Sequence, residues 1–374
     1  MERYYPLGSS IVDGQAYALK GEKFSNVAPG FPVIISGVLW LSRSLSLPFD
    51  TFFEIILTTM LGISAYTLFS ISLSYYKAKY SFAVAATMLI YPLTVSLNMQ
   101  PLSEIPFILM LYLSVLMYVR SFGEKQKIYW YSFAMGLLLA ISIMIRPIAI
   151  GLPIVFIIFI VVNRTWSPLT RIKSITTLLL GVLPIVIVYS VWTCRYDECR
   201  IIPSGNAVPS LRVGLIFAVE KAGNRTAIPL PKGVRDLMSD YAVALTDVST
   251  IDGVLTSVLR LTVKYPLESV MLAGYKILRS LYATDSGNQE LMIGLIQILF
   301  LLPAAIGGYR YIRMESKYSP FMLIFGIFLY FWFITFISLS IVRYMVPAIT
   351  LLFVFTPCLI CNNMNRVKNT GAVT

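Results

Sequence analysis

Apolar and polar residues alternate along this chain in long blocks. Several apolar blocks are as long as a membrane-crossing helix, which needs about 17–25 residues. Nine such blocks lie at 50–76, 81–97, 103–122, 129–145, 147–163, 174–193, 289–309, 319–341 and 344–361. The pattern therefore predicts an all-α integral membrane protein with about nine transmembrane helices.

Two places depart from this simple pattern. The apolar run at 31–46 is short, begins beside Pro29-Gly30 and contains Arg43, which predicts a helix lying in the membrane interface. The fourth and fifth blocks almost merge at Arg146-Pro147. Proline disfavours helical backbone in the residue before it, so the sequence predicts a break there.

Lysine and arginine are distributed unevenly between the short connections. With the N-terminus outside and nine crossings, only Arg146 and Arg343 fall in the short outer connections. Thirteen basic residues fall on the cytoplasmic side: Lys77, Lys79, Arg120, Lys125, Lys127, Arg164, Arg171, Lys173, Arg310, Arg313, Lys317, Arg366 and Lys368. This is the bias of the positive-inside rule, and counting 31–46 as a span would scramble it.

The topology divides the chain into consecutive regions. They are a first extracytoplasmic loop at 1–30, the interfacial helix, a six-helix core at 50–193, an extracytoplasmic segment at 194–288, three further spans at 289–361 and a cytoplasmic tail at 362–374. Within 194–288, apolar residues at helical spacing over 254–282, interspersed with Arg260, Lys264, Lys276 and Arg279, predict amphipathic helices on the outer surface.

Composition agrees with a membrane protein. The chain is 57% hydrophobic and 13% charged, whereas soluble domains carry about 25% charged residues. The net charge of +12 is accounted for by helix orientation, so no nucleic-acid partner is predicted. Because the chain has no histidine, it cannot form a His-based metal site, a His general base or a Ser-His-Asp triad.

The four cysteines form two close pairs in the sequence. Cys358 and Cys361 have C-x-x-C spacing, but no second pair accompanies them, so a zinc or redox motif is not predicted. Cys194 and Cys199 begin the outer segment, where a disulfide can form if the compartment is oxidising.

Charged residues gather at the predicted outer ends of the helices. They are Asp13, Glu22, Lys23, Asp50, Glu54, Glu104, Arg146 and Arg343. Charges at membrane depth cost about 2.5–3.5 kcal/mol each, so they usually have a function. Structural alternatives exist: Glu104 and Asp50 suit helix N-termini, and Arg343 could extend to lipid head groups. Together they predict one charged outer vestibule.

Several short motifs follow one another in a characteristic order. They are Arg3-Tyr4-Tyr5-Pro6-Leu7-Gly8, Val12-Asp13-Gly14, Ala28-Pro29-Gly30-Phe31-Pro32, Pro101-Leu102-Ser103-Glu104, Ile145-Arg146-Pro147 and Arg343-Tyr344-x-x-Pro347. In order and spacing the chain resembles the bacterial aminoarabinose-transferase and protein O-mannosyltransferase superfamily, polytopic glycosyltransferases of GT-C type that use polyprenyl-phosphate sugars.

The chain departs from this pattern at its start. Members of the superfamily begin with a transmembrane helix, followed by an acidic residue about four positions before the tyrosine that Tyr4 matches; that position would precede Met1. We therefore expect an upstream in-frame segment that encodes a first helix, which would give ten spans. The alternatives are that Glu2 substitutes for the acidic residue, or that the chain is inactive as written.

The resemblance implies inverting transfer of a sugar from a polyprenyl phosphate to a hydroxyl on the outer face of the plasma (inner) membrane. It implies the following roles: Glu2, Asp13 and Glu104 as catalytic carboxylates, Arg343, Arg146 and Lys23 as carrier-phosphate ligands, and Tyr4 and Tyr344 as substrate contacts. Some relatives bind a divalent metal through Glu and His; without histidine that site cannot exist in the same form, and no cofactor is predicted with certainty.

The implied partners are the polyprenyl-phosphate sugar, membrane lipids and a hydroxyl acceptor. Two other functions remain open. A transporter or flippase for a lipid-linked substrate explains the spans and the charges but not the ordered motifs. An O-antigen ligase or polymerase usually relies on Arg and His in outer loops, and the absence of histidine argues against it.

Overall fold

A computed structural model describes residues 4–15, 17, 27–196, 199, 201, 203, 209–215, 230–248, 250–284, 289–314 and 320–360. Within these residues the regular structure is entirely helical. The first helices are α1 (Tyr4–Val12), α2 (Gly30–Leu45), α3 (Phe49–Leu73), α4 (Ala78–Ile90), α5 (Pro92–Asn98), α6 (Glu104–Gly123), α7 (Ile128–Ile145), α8 (Leu152–Val162) and α9 (Pro168–Tyr196).

The remaining helices follow the long polar segment. They are α10 (residues 209–215), then α11 (Lys232–Ala244), α12 (Ile251–Lys264), α13 (Pro266–Arg279), α14 (Glu290–Met314), α15 (Met322–Ile337) and α16 (Val342–Leu352). Short 3₁₀ helices precede α7, precede α8 and follow α16, at Lys125–Lys127, Pro147–Gly151 and Phe353–Leu359.

The chain is an α-helical protein with several helices that can cross a membrane. Among the described residues six helices are long and apolar enough, and a seventh is gained if the bent pair α4–α5 is one span. The predicted spans at 147–163 and 319–341 correspond to shorter apolar helices, 147–162 and 322–337. Sixteen helical residues extend about 24 Å, less than the ~30 Å of hydrocarbon, so the predicted total of nine is not confirmed.

Prolines interrupt the helices where the sequence predicted a break and at one further place. Arg146 has extended backbone (φ −143°, ψ 110°) before Pro147, which ends α7. Tyr91 is also extended before Pro92, and α4 and α5 meet there at 58°. Both follow from the clash between a proline ring and helical backbone in the preceding residue.

Contacts divide the chain into two compact units. The first comprises 1–205, 303–327 and 350–374, and the second comprises 206–302 and 328–349. In the first unit, glycines allow close packing of α7 against α9: a Cβ at Gly136 would overlap the carbonyl of Leu178, and one at Gly181 that of Phe133. Small residues at such positions are typical of helices packed in membranes.

The second unit has an apolar core of its own. It is built from Val234, Leu237, Met238, Tyr241, Leu245, Val254, Leu261 and Leu272, which come from α11, α12 and α13 and the turn after α11. Helices in the predicted outer segment are therefore present. The position of this segment outside the membrane, and that of α2 in the interface, remain predictions.

Candidate functional site

A buried ion pair joins the start of α6 to the end of α7. Arg146 Nη1 lies 2.9 Å from Glu104 Oε1, and the two side chains are 11% and 3% exposed. The pairing follows from topology, because α6 and α7 are consecutive helices joined by a short turn and pack side by side, so the start of one meets the end of the other. The guanidinium also lies 5.9 Å from the ring centre of Phe107.

The helix ends suit the two charges. Glu104 lies in the first turn of α6, where the helix dipole is positive. Arg146 follows the last turn of α7, where the dipole is negative, and its extended backbone directs it away from the helix axis. A buried ion pair is costly to break, by about 3–5 kcal/mol when one partner is removed.

The segment at 28–32 packs directly beside this pair. A Cβ at Gly30 would lie 2.6 Å from the carbonyl carbon and oxygen of Met144, so only glycine permits the observed approach of the two backbones. Phe31 is fully buried, and the ring of Tyr4 packs edge-on against it with centres 4.9 Å apart. The structure thus brings together residues from four of the sequence motifs: Tyr4, Gly30-Phe31, Glu104 and Arg146.

Asp13, a predicted catalytic carboxylate, has a different environment. Its carboxylate lies 2.7 Å from Arg43 Nη1 on α2 and accepts a hydrogen bond from Ser9 Oγ at 3.0 Å. The Arg43 guanidinium, and secondarily the Ser9 hydroxyl, hold the pKa of Asp13 below its ordinary value. A carboxylate with a lowered pKa is a weaker proton acceptor, so this environment favours a fixed charge over a general base.

Two predicted site residues, Glu2 and Lys23, lie outside the described residues. Arg343 and Tyr344 belong to the second unit, at the start of α16. Arg343 Nη2 donates to the Tyr344 hydroxyl at 3.3 Å, and its guanidinium carbon lies 5.2 Å from the Tyr344 ring centre. Both residues are half-buried.

The second unit also contains buried charges for which sequence reasoning predicted no site. Arg279 Nη2 lies 3.2 Å from Glu290 Oε1, with side chains 4% and 1% exposed. Lys276 is buried, and its ammonium group donates to the carbonyls of Gly214 and Ser338, each at 3.1 Å. Burial lowers the pKa of Lys276 to about 7, while the carbonyl acceptors favour the charged form.

The sequence places these two cations on one helical face but does not show that this face points inward. Lys276 and Arg279 follow Leu272 by four and seven residues, which places all three on one helical face. Since Leu272 is a core residue, the cations share its buried side. Lys276 and Arg279 line a small cavity together with Tyr275 and Ser340.

The cysteines lie in different environments and form no metal site within the described residues. Cys194 and Cys199 form a disulfide, while Cys358 is buried with its sulfur 2.9 Å from the Tyr76 hydroxyl. Cys361 lies outside the described residues. Within the part of the chain that the structure describes, no group of three or more Cys, Asp or Glu side chains could hold a metal ion.

Comparison with known proteins adds no family assignment. No family model matches the chain, and neither a curated protein nor a solved structure matches it.

Proposed function

We propose that the chain is a membrane glycosyltransferase that transfers a sugar from a polyprenyl-phosphate carrier to a hydroxyl acceptor on the outer face of the plasma membrane. The observation that supports this most is the Glu104–Arg146 pair. It combines a carboxylate and a guanidinium at 2.9 Å, the two groups that such a transfer needs, and it lies where several of the ordered sequence motifs meet.

The proposed reaction uses each group once. The carboxylate of Glu104 accepts the proton of the acceptor hydroxyl, whose oxygen forms a bond to the anomeric carbon. The bond from that carbon to the phosphate oxygen breaks, and its electron pair leaves with the polyprenyl phosphate. A guanidinium stabilises this charge through paired N–H···O bonds, and the proton on the carboxylate later passes to water.

Opening of the ion pair is the proposed first step of the reaction. In the described state Glu104 is bound to Arg146. A phosphate that binds Arg146 would compete for its guanidinium N–H groups and free Glu104 to accept a proton. Asp13, which is held by Arg43 and Ser9, is a less suitable base. The role of Arg343 as a phosphate ligand remains a prediction from the sequence resemblance alone.

The test measures donor consumption, so that the acceptor need not be known. The chain, expressed from its complete reading frame, is reconstituted in liposomes that contain polyprenyl-phosphate sugars and envelope lipids, and release of polyprenyl phosphate is followed. We expect Glu104→Gln and Arg146→Lys to lower the rate by about 10²–10³-fold. Glu124→Gln, which alters the exposed Glu124–Lys127 pair, is the matched control and should leave the rate unchanged.

The competing function, transport or flipping of a lipid-linked substrate, is measured in the same liposomes. If the donor crosses the bilayer with its sugar–phosphate bond intact, and no polyprenyl phosphate is released, then the chain is a transporter and the transferase proposal is wrong. If neither release nor movement occurs with folded protein, both functions fail for the donors used.

A further inference from the structure

The helix α13 has an inverted distribution of apolar and charged residues. Its exposed positions are Pro266, Leu267, Val270, Gly274 and Leu278, all of them without a polar side chain. Its buried positions are Leu272, Lys276 and Arg279. At 100° per residue the exposed five cover an arc of about 120°, so one whole face of the helix is apolar.

Neighbouring α11 provides an internal reference because it belongs to the same unit and packs against the same core. It buries Val234, Leu237, Met238 and Tyr241. Its exposed residues are Lys232, Arg235, Asp236, Ser239 and Val243, four of which have polar side chains. This is the ordinary pattern of a helix whose outer face meets water, and α13 shows the reverse.

The helix α12 adds a second exposed apolar stripe. It contributes Val254 and Leu261 to the core, yet Leu255, Leu259 and Val263, which follow one another at intervals of four residues, are 53%, 67% and 82% exposed. Arg260 and Lys264 lie beside this stripe and are also exposed. Large exposed apolar patches mark surfaces that contact a membrane or another protein.

Contacts with α15 place α13 beside an apolar helix. Lys276 Nζ donates to Ser338 O at the end of α15, at 3.1 Å. Trp332 Nε1 donates to Ile277 O at 3.2 Å. Trp332 lies five residues before the end of α15, about 7.5 Å along the axis, so α13 packs against the last turns of a helix composed almost entirely of apolar residues.

The adjoining backbone fixes the same arrangement. The amide of Val342, at the start of α16, donates to Ala283 O at 2.9 Å, so the chain just after α13 is attached to the connection between α15 and α16. With 14 residues, α13 is about 21 Å long and too short to cross the bilayer.

We infer that the α12–α13 pair is inserted into one leaflet of the bilayer, with the apolar face of α13 and the stripe Leu255, Leu259 and Val263 in contact with lipid acyl chains. Lys276 and Arg279 point inward because the surroundings outside are hydrocarbon, where a charge has no partner. Inside the unit they have backbone carbonyls and Glu290 as partners. Exposed Arg260 suits the phosphate layer at the edge of the leaflet, whereas the Lys264 ammonium group lies 2.9 Å from Asp240 Oδ2.

The experiment compares collision rates of a nitroxide with oxygen, which concentrates in acyl chains, and with a water-soluble nickel chelate. Cysteines are placed at Val270, Leu259 and, as the matched control on α11, Ser239, in a chain with Cys358→Ser and Cys361→Ser and the Cys194–Cys199 disulfide retained. The protein is reconstituted in phosphatidylcholine–phosphatidylglycerol liposomes, and correct folding is checked by monodispersity in detergent.

At Val270 and Leu259 we expect the collision rate with oxygen to exceed that with the nickel chelate several-fold. At Ser239 we expect the collision rate with the nickel chelate to be the higher one. Nickel collisions at Val270 equal to those at Ser239 would show a water-exposed face and overturn the inference. Low collision rates with both reagents at Val270 would show that a protein surface, such as a second copy of this chain, covers the face, which also overturns it. None of these outcomes depends on the proposed transferase activity.

Discussion

Two buried ion pairs, one in each unit, share their chemistry but not their surroundings. In Glu104–Arg146 the arginine retains 11% exposure, and the pair lies where the chain leaves helical geometry at Arg146-Pro147. In Arg279–Glu290 the side chains are 4% and 1% exposed, and the pair connects two regular helices. The first arginine can meet a ligand at its exposed edge, whereas the second cannot without opening the unit.

The comparison separates a pair suited to chemistry from a pair suited to structure. Burying a charge costs desolvation energy, so each buried pair needs a reason to be retained. For Arg279–Glu290 the reason is packing: the outer face of α13 is apolar, so its charged side chains point into the interior of the unit. For Glu104–Arg146 the proposed reason is function: Arg146 would exchange its partner Glu104 for the phosphate of the carrier.

The largest expected effect on stability is at the enclosed pair. Glu290→Ala leaves the Arg279 guanidinium buried without its carboxylate, and we expect a loss of about 3–5 kcal/mol in the free energy of unfolding. Denaturant titration of the purified protein in detergent micelles measures it. The double variant Arg279→Leu with Glu290→Leu should recover much of the loss, and a Glu290→Ala protein as stable as the parent would contradict the structural role.

Charge reversal distinguishes the two roles at Glu104–Arg146. The double variant Glu104→Arg with Arg146→Glu retains opposite charges in contact, so it should be more stable than either single reversal. Its donor turnover should remain lower by about 10²-fold, because the carboxylate and the guanidinium have exchanged places relative to the substrate. Recovery of turnover together with stability would show that the pair is only structural.

Arg343 differs from the arginines of the two ion pairs because its guanidinium contacts a tyrosine hydroxyl, that of Tyr344. We expect Arg343→Ala to lose nearly all activity and Arg343→Lys to lose much of it, because lysine keeps the charge but not the two-pronged geometry. The matched control is Arg313→Ala, since the Arg313 guanidinium also lies over a tyrosine ring, 4.7 Å from the centre of Tyr309. Near-normal turnover per folded molecule in Arg343→Ala would contradict the role predicted for Arg343.

A pH dependence of stability is expected at Lys276. Its pKa in the folded protein is about 7, below the ordinary 10.5, so between these pH values the unfolded chain binds more protons than the folded one. The free energy of unfolding should therefore rise with pH from about 7 to about 10.5, and fall again as pH is lowered through that range. Lys276→Met should lose this part of the slope in thermal unfolding at pH 7, 8.5 and 10, whereas parallel curves for the two proteins would contradict it.

The helical class and most helix positions followed from the sequence alone. Long apolar blocks and prolines act locally, so α3, α6 and α7 begin and end within a few residues of the predicted spans, and the break at Arg146-Pro147 is present. The predicted number of nine spans is not confirmed within the described residues, because α8 and α15 are shorter than the apolar blocks that contain them. Hydrophobicity measures the composition of a block, not the length over which it stays helical.

The partners of the charged residues were decided by tertiary structure. The sequence placed Glu104 and Arg146 at the same predicted end of neighbouring helices, but their contact required α6 and α7 to pack side by side. It also gave Asp13 as a catalytic carboxylate without a partner residue, whereas α1 packs on α2 and brings Asp13 to Arg43. Pairing depends on which helix faces are in contact, and that information lies in residues far apart in the chain.

The clearest division between sequence and structure is at α13. The spacing of Leu272, Lys276 and Arg279 determined that they share one face of the helix. The spacing of Leu267, Val270 and Leu278 determined that they share another face. Periodicity is the same whichever face points inward, so the sequence could not tell them apart. Only the contacts of Lys276 with the carbonyls of Gly214 and Ser338, and of Arg279 with Glu290, decided it, because a buried charge requires partners that other segments of the chain supply.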